Sequence, residues 1–504
     1  MPDAMPASSA GTGPEVKAAQ AGHVGPAGLQ MALICAAQFV LQLDFSIVNV
    51  ALPTIQADLH MAAAELQWIV TGYALTFGSL LLAGGRLADV LGRRRVLVIG
   101  LTAFAVASLA CGLAQWPVML IVSRLVQGAS GALISPAALS LLTTTNHEGP
   151  ARTRALAIWQ ATTAAGATAG IVAGGLLTQY LGWRAVFLVN PPVILVMLLL
   201  IRQLPVGRGT GTRSFDPLGA TLVTAAIASL IFGLSHGQQH GFTSPLTIAA
   251  LVIAVLLGAA FVRVELTVSA PMVPLTIFSA APRRAAVSAM VIIGVVLAGY
   301  VYFVSLYLQK VLHFSPVLTG IALVPSTLTV VAMSTLGTRR LLARLPAWQV
   351  LLSGLACLAA GQLWLAQITA TSTYLVAVLP GLILTSLGIG LALPTASIAI
   401  TSGVRSEDQG LAGALFTTSQ QTGAAVGLAV LATAAAARTA HAGGSLVAGY
   451  ALSFYIAAGI IVLAAVIVVL LMRPRPDSRE PGLHEASREG APAPTVAECQ
   501  LRKC

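Results

Sequence analysis

The chain has 504 residues, 57% of them hydrophobic and 9% charged, with a mean hydropathy of +0.88. No water-soluble globular domain tolerates such a surface, so the composition indicates a polytopic membrane protein. The net charge of +11 is spread over many short segments with no soluble domain to organise it, which argues against a nucleic-acid partner.

A bilayer core about 30 Å thick takes roughly 20 apolar residues per helix. Fourteen such runs follow an N-terminal tail, residues 1–27, whose Ala, Pro, Gly and Ser content predicts disorder. The first span, 28–52, lacks an A-x-A cleavage pattern and predicts a retained helix, not a signal peptide. It closes on LQLDFSIVNVALP, which holds a lone carboxylate, Asp44. Acids inside the membrane line cavities or functional paths, because an isolated charge in hydrocarbon costs several kcal/mol or more.

The second span, 66–84, leads into GRLADVLGRRRVL. There Gly85 and Gly92 permit close approach and a tight turn, Asp89 suits a helix N-terminus, and Arg93, Arg94 and Arg95 hold the cytoplasmic face. After the third span, 95–115, the fourth, 117–142, carries LIVSRLVQGASGA with Arg124 inside the apolar run. Snorkelling to the outer interface is one reading of Arg124. The fifth span, 154–177, has Gly166, Gly170, Gly174 and Gly175, a small-residue ladder suited to close helix packing. The sixth covers 184–204.

VGRGTGTRSFDPLGA, 206–220, reads as a linker into spans seven, 217–235, and eight, 245–263. Spans nine and ten, 285–308 and 316–337, precede GTRRLLARLPAW, an echo of the earlier loop without its aspartate. Spans eleven to fourteen, 348–367, 374–396, 409–436 and 449–472, complete the series before a second tail expected to be disordered, 473–504. The echo supports two six-span halves, 28–205 and 285–472, around an inserted segment, 206–284. Arginines crowd one alternating set of loops, whereas the other set holds only Arg184, Lys310 and Arg438, so both termini are expected to be cytoplasmic. Cys35, Cys111 and Cys357 lie in spans and Cys499 and Cys504 in the last tail, which suggests free thiols and no disulfide framework.

GRLADVLGRRRVL resembles the signature loop of the major facilitator superfamily, G-x-L-A-D-x-x-G-R-[KR]-x-x-L. The resemblance implies an all-α fold of two six-helix bundles with two inserted helices. It also implies that Gly85, Asp89, Gly92, Arg93 and Arg94 form a conformational latch against the helix that follows SGVRSEDQG. Arg124, Gln127 and Gly128 resemble the family's R-x-x-Q-G motif. The glycine ladder resembles the antiporter signature G-x-x-x-G-P-x-x-G-G, with Ile171 where the proline is expected, which removes the kink that proline imposes.

Leu43 to Pro53 resembles L-D-x-[TS]-I-V-N-V-A-L-P of the fourteen-span drug:proton antiporters, the multidrug resistance exporters. WRAVFLVNPP, FDPLGA, YLQKVLHFSPVLTGIALVP and SQQTGAAVGLAVL agree with it, so the resemblance covers about residues 28–472. It implies a bacterial plasma-membrane exporter of lipophilic drugs or antibiotics. Such an exporter needs no cofactor or metal: the proton gradient supplies energy, and the partners are a small hydrophobic substrate, protons and lipid, with the monomer as working unit.

At about 1.5 Å rise per residue, Asp44 and Arg124 lie at similar depth. A dry carboxylate keeps its charge beside an arginine and takes a proton when that partner withdraws. Two readings follow: a proton switch in which protonation and substrate compete for one cavity, or a permanent ion pair tying spans one and four together. Asp44 is the only deep acid in any span, which favours neutral, zwitterionic or monocationic substrates. Asn49, Tyr73, Gln127, Trp159, Tyr300, Tyr302, Gln309, Gln420 and Gln421 are candidate cavity residues, although Tyr and Trp also gather at membrane interfaces. A proton-coupled uptake symporter is the rival transporter. A membrane sensor or membrane enzyme lacks a signalling domain or a convergent catalytic group.

Overall fold

The computed structural model describes residues 27–472 apart from 62, 147, 206–215, 269–270, 272, 274 and 406–407. Both tails, with Cys499 and Cys504, and most of the linker lie outside the described residues. Among the described residues every element is helical and fourteen helices are long and apolar enough to cross a membrane. They are α1 (Ala27–Leu59), α2 (Trp68–Leu91), α3 (Arg93–Gly112), α4 (Pro117–Thr145), α5 (Pro150–Leu181), α6 (Arg184–Gln203), α7 (Pro217–Gly237), α8 (Pro245–Glu265), α9 (Ala281–Val311), α10 (Val317–Leu342), α11 (Ala347–Leu365), α12 (Tyr374–Thr401), α13 (Gln409–His441) and α14 (Leu446–Met472).

Helices are the form these runs must take, because hydrocarbon satisfies no backbone N–H or C=O. Their ends follow local chemistry. The Asp216 carboxylate accepts from the Leu218 and Gly219 amides to start α7, with Pro217 in the first turn where an N–H has no helical partner. Gly92, at φ 95°, makes the reversal from α2 into α3 that a side chain would resist.

Two boundaries differ most from expectation: α2 runs on to Leu91, through the stretch after 84 that reads as a loop, and α1 also ends late. Helix α1 passes through Pro53 and runs on to Leu59 instead of stopping at 52. The extra turns are held at their tip, where Asp58 accepts from Trp183 Nε1 at 2.9 Å and from Arg184 Nη1 at 2.7 Å.

Packing repeats with a shift of eight helices. Helix α1 lies on α4 and α5, α2 and α3 lie on α4, and α3 lies on α6; α9 to α14 repeat each of these pairings. Pro136 of α4 and Pro394 of α12 fall at matching places in the two sets. Contacts between the sets are also reciprocal: α2 meets α13 as α10 meets α5, and α4 meets α13 as α12 meets α5. Helices α7 and α8 pair with each other, and α7 leans on α2 and α13.

Candidate functional site

The most polar point of the first helix set is built from four helices. Asp44 of α1, Arg124 and Gln127 of α4, Ser108 of α3 and Asn190 of α6 are all buried, Asp44 completely. Arg124 Nη1 donates to Asp44 Oδ2 at 2.7 Å and to Gln127 Oε1 at 2.7 Å, while its Nε donates to the Ile69 carbonyl at 3.0 Å. On the other side of the carboxylate, Oδ1 accepts from Gln127 Nε2 at 2.8 Å and from Asn190 Nδ2 at 2.7 Å. Gln127 Nε2 also lies 2.6 Å from Ser108 Oγ. Arg124 therefore does not snorkel: it is paired in the protein, with the Tyr73 ring 4.4 Å from its guanidinium carbon.

Side-chain hydrogen bonds to both carboxylate oxygens offset the loss of water, the condition under which a buried ion pair is tolerated. The exposed face of α1 begins one residue away. Phe45 and Asn49, one helical turn apart on α1, are exposed, and Phe45 packs 5.9 Å from the Tyr73 ring. Tyr73 is itself only 2% exposed, so its ring lies between that surface and the charges. The ionic pair and the exposed Phe45–Asn49 face of α1 are thus adjacent and separate, with Tyr73 between them.

The glycine ladder explains how α1 is set. A Cβ added at Gly166 would stand 2.8 Å from the Phe39 carbonyl oxygen, at Gly170 2.6 Å from that of Leu43, and at Gly174 2.7 Å from that of Ile47. Three glycines of α5 therefore seat the α1 backbone turn by turn, on both sides of Asp44. Gly175 faces elsewhere, toward Val317 of α10. Ile171 packs on Gly320 of α10, and α5 runs unbroken through it. The hydroxyls of Thr168 and Thr327 also bond across this α5–α10 contact.

At one end of the molecule Asp89 joins the two helix sets. Its Oδ1 accepts from the Gly410 amide and its Oδ2 from the Leu411 amide, both at 3.0 Å, so a carboxylate sits on the N-terminus of α13. Gly85 lets α2 come close: a Cβ there would meet the Gly410 carbonyl oxygen at 2.7 Å. Arg93 stands 3.7 Å from Asp89, whereas Arg94 donates to the Leu204 carbonyl at the end of α6 and takes no part in this contact. Arg86 lies 3.7 Å from Asp408, and Glu148 accepts from the Gly403 amide at 3.1 Å.

Removing the negative charge of Asp89 weakens a partly buried charge–dipole contact of up to about 2 kcal/mol. In Asp89→Asn the closed arrangement of this end is expected to lose about tenfold in population against the open one. Spin labels on Leu91→Cys and Ser402→Cys, both exposed positions, would show it as a growing long-distance component.

The remaining candidates divide by burial. Asn49, Tyr302 and Gln309 are exposed, and Gln420 and Gln421 half-buried. Trp159 is buried, Tyr300 is buried with its hydroxyl 3.0 Å from Ser326 Oγ, and Gln127 and Tyr73 belong to the Asp44 cluster. Sequence reasoning missed Asn190 and Ser108 as partners of that cluster. Asn190 stands inside the quoted stretch WRAVFLVNPP, and an amide just before two prolines in an apolar helix was the available signal.

The Major Facilitator Superfamily model matches residues 34–428. A puromycin resistance protein of Streptomyces alboniger is 36% identical over 464 residues, 89% of this chain and 92% of that protein. A cephamycin export protein of Amycolatopsis lactamdurans is 37% identical over 444 residues, 87% of this chain and 91% of that protein. Among solved structures, the human organic anion transporter MFSD10 superposes with a TM-score of 0.63 at 15% identity, covering 88% of this chain and all of that one, a likeness of fold.

Proposed function

The chain belongs to the Major Facilitator Superfamily, and from that premise we propose that it couples proton entry to the export of lipophilic drugs or antibiotics by alternating access. It is a multi-pass membrane protein and a drug efflux transporter, akin to antibiotic resistance and export proteins. The observation that carries the coupling is the sealed Asp44–Arg124 pair, directly behind the exposed Phe45 and Asn49 face of α1. Drug on that face and a proton on Asp44 act on the same helix, so each biases the position of α1 without meeting the other. The two six-helix bundles close at the Asp89 end, which positive-inside bias makes cytoplasmic, with both termini there. The protein works as a monomer in the bacterial plasma membrane, without cofactor, and performs no covalent chemistry.

The test is transport in a pump-deficient bacterial host and in inverted vesicles, with puromycin and ethidium as probes. Expressing cells are expected to accumulate several-fold less of at least one probe. An imposed proton gradient should drive its uptake into inverted vesicles, and a protonophore should stop it. Accumulation that rises on expression would overturn export, and protonophore-resistant transport would overturn the coupling.

A further inference from the structure

The geometry points to Asn190 as an amide switch that serves both protonation states of Asp44, donating to the carboxylate and turning to accept from the carboxylic acid. This inference rests on the coupling proposed above.

Around Asp44 every side-chain partner is a donor: Arg124 to Oδ2, and Gln127 and Asn190 to Oδ1. That arrangement fits the ionised form. When a proton joins Oδ1, the new O–H points at two N–H groups, and one of them must give way to an acceptor oxygen. Gln127 is tied, because its Oε1 already takes a 2.7 Å bond from Arg124 and its Nε2 lies 2.6 Å from Ser108. Turning it would strip the guanidinium of a partner inside a dry cluster. Asn190 is held far less: beyond Asp44, its Nδ2 has only a 3.5 Å contact with Ser108.

Its place in the chain adds freedom. Pro191 and Pro192 follow it and have no N–H to continue the helical ladder, and the helix is interrupted at Val189, immediately before it. The groups facing Asp44 from its neighbours are few: Arg124 on α4 is the charge, Tyr73 on α2 and Cys111 on α3 are the nearby titratable side chains, and α5 presents glycines. None of these titratable groups offers the carboxyl a second acceptor, which leaves the turn to Asn190. On protonation the proton resides on Oδ1, Asn190 Nδ2 withdraws and its carbonyl oxygen accepts, and Arg124 keeps Gln127. The reverse turn accompanies proton release.

A switch and a plain donor make different predictions. A plain donor favours only the ionised form, so its loss would move proton binding toward higher pH by about one unit, one hydrogen bond's worth, with turnover little changed. A switch favours both forms in turn. Asn190→Ala is then expected to leave the midpoint within about half a unit while slowing ethidium–proton exchange in proteoliposomes at least tenfold. Asn190→Ser, which can donate and accept, should restore most of the rate. The midpoint is read on the full-length transporter without drug, from the infrared carboxyl band that disappears in Asp44→Asn. A midpoint raised by a unit with turnover intact overturns the switch, as does failure of serine to rescue when both variants are folded and monodisperse. Coupling that survives in Asp44→Asn would instead overturn the underlying reading, so the two failures are distinct.

Discussion

Asp44→Asn is expected to abolish export of ethidium against a gradient and, by itself, to reduce the amount of folded protein. The second effect comes from Arg124. It is 1% exposed, its Nη1 lies 2.7 Å from Asp44 Oδ2, and the amide that replaces the carboxylate leaves a buried positive charge without its counter-ion. Breaking one partner of a buried pair costs about 3–5 kcal/mol, whereas replacing both can be neutral. The double variant Asp44→Asn with Arg124→Gln should therefore recover thermal stability close to the parent and still fail to couple transport to protons. This pair of variants separates the two readings that the sequence leaves open. A permanent structural tie predicts that the double variant, once stable, pumps; a proton site predicts that it folds and does not.

The charges at the centre were readable because each was alone. An acid and an arginine in separate apolar spans at similar depth have few partners to choose from, and the 2.7 Å contact follows. Gln127 was visible as part of a motif and was placed among cavity residues, since a glutamine in a helix carries no sign of which way it faces; its bonds to Asp44 and Ser108 decide that. Asn190 was less visible still. It is uncharged, and it reaches Asp44 only after α6 folds back beside α1. The same limit applied to the end of α1, expected at 52, where the helix runs on to Leu59 and Asp58 at its tip bonds to Trp183 and Arg184.

The repeat was legible as an echo of one loop, yet its chemistry is asymmetric in a way only packing reveals. Gln362 of α11 donates to Thr385 of α12 at 3.4 Å, as Gln127 of α4 meets Ser108 of α3, and Tyr300, Ser326 and Ser386 form a hydroxyl chain nearby. The second half thus has an uncharged counterpart of the Asp44 cluster. On the proposed coupling, charge movement is confined to the first bundle, and the second responds through the shared contacts of α2 with α13 and α5 with α10.

On that reading the α1–α5 seam, which seats the helix that carries Asp44, is a packing surface on which transport depends. Gly170→Ala adds one methyl group where it would stand 2.6 Å from the Leu43 carbonyl oxygen and would also strike the Ser46 hydroxyl, which already bonds to the Gln42 carbonyl. The obstacle is chiefly backbone, which cannot turn aside as a flexible side chain can, so α1 must move off α5 and carry Asp44 away from Asn190 and Arg124. Overpacking of this kind costs about 1–3 kcal/mol. The variant is expected to unfold at a clearly lower temperature and to lose most proton-driven ethidium transport. Gly258→Ala in α8 and Gly459→Ala in α14, where an added Cβ meets nothing within 4 Å, should leave both readings unchanged. If Gly170→Ala instead matched these controls in thermal unfolding and transport, α1 would not be seated by α5, and the route from a protonated Asp44 to the rest of the transporter would have to run through α4 and α6 alone.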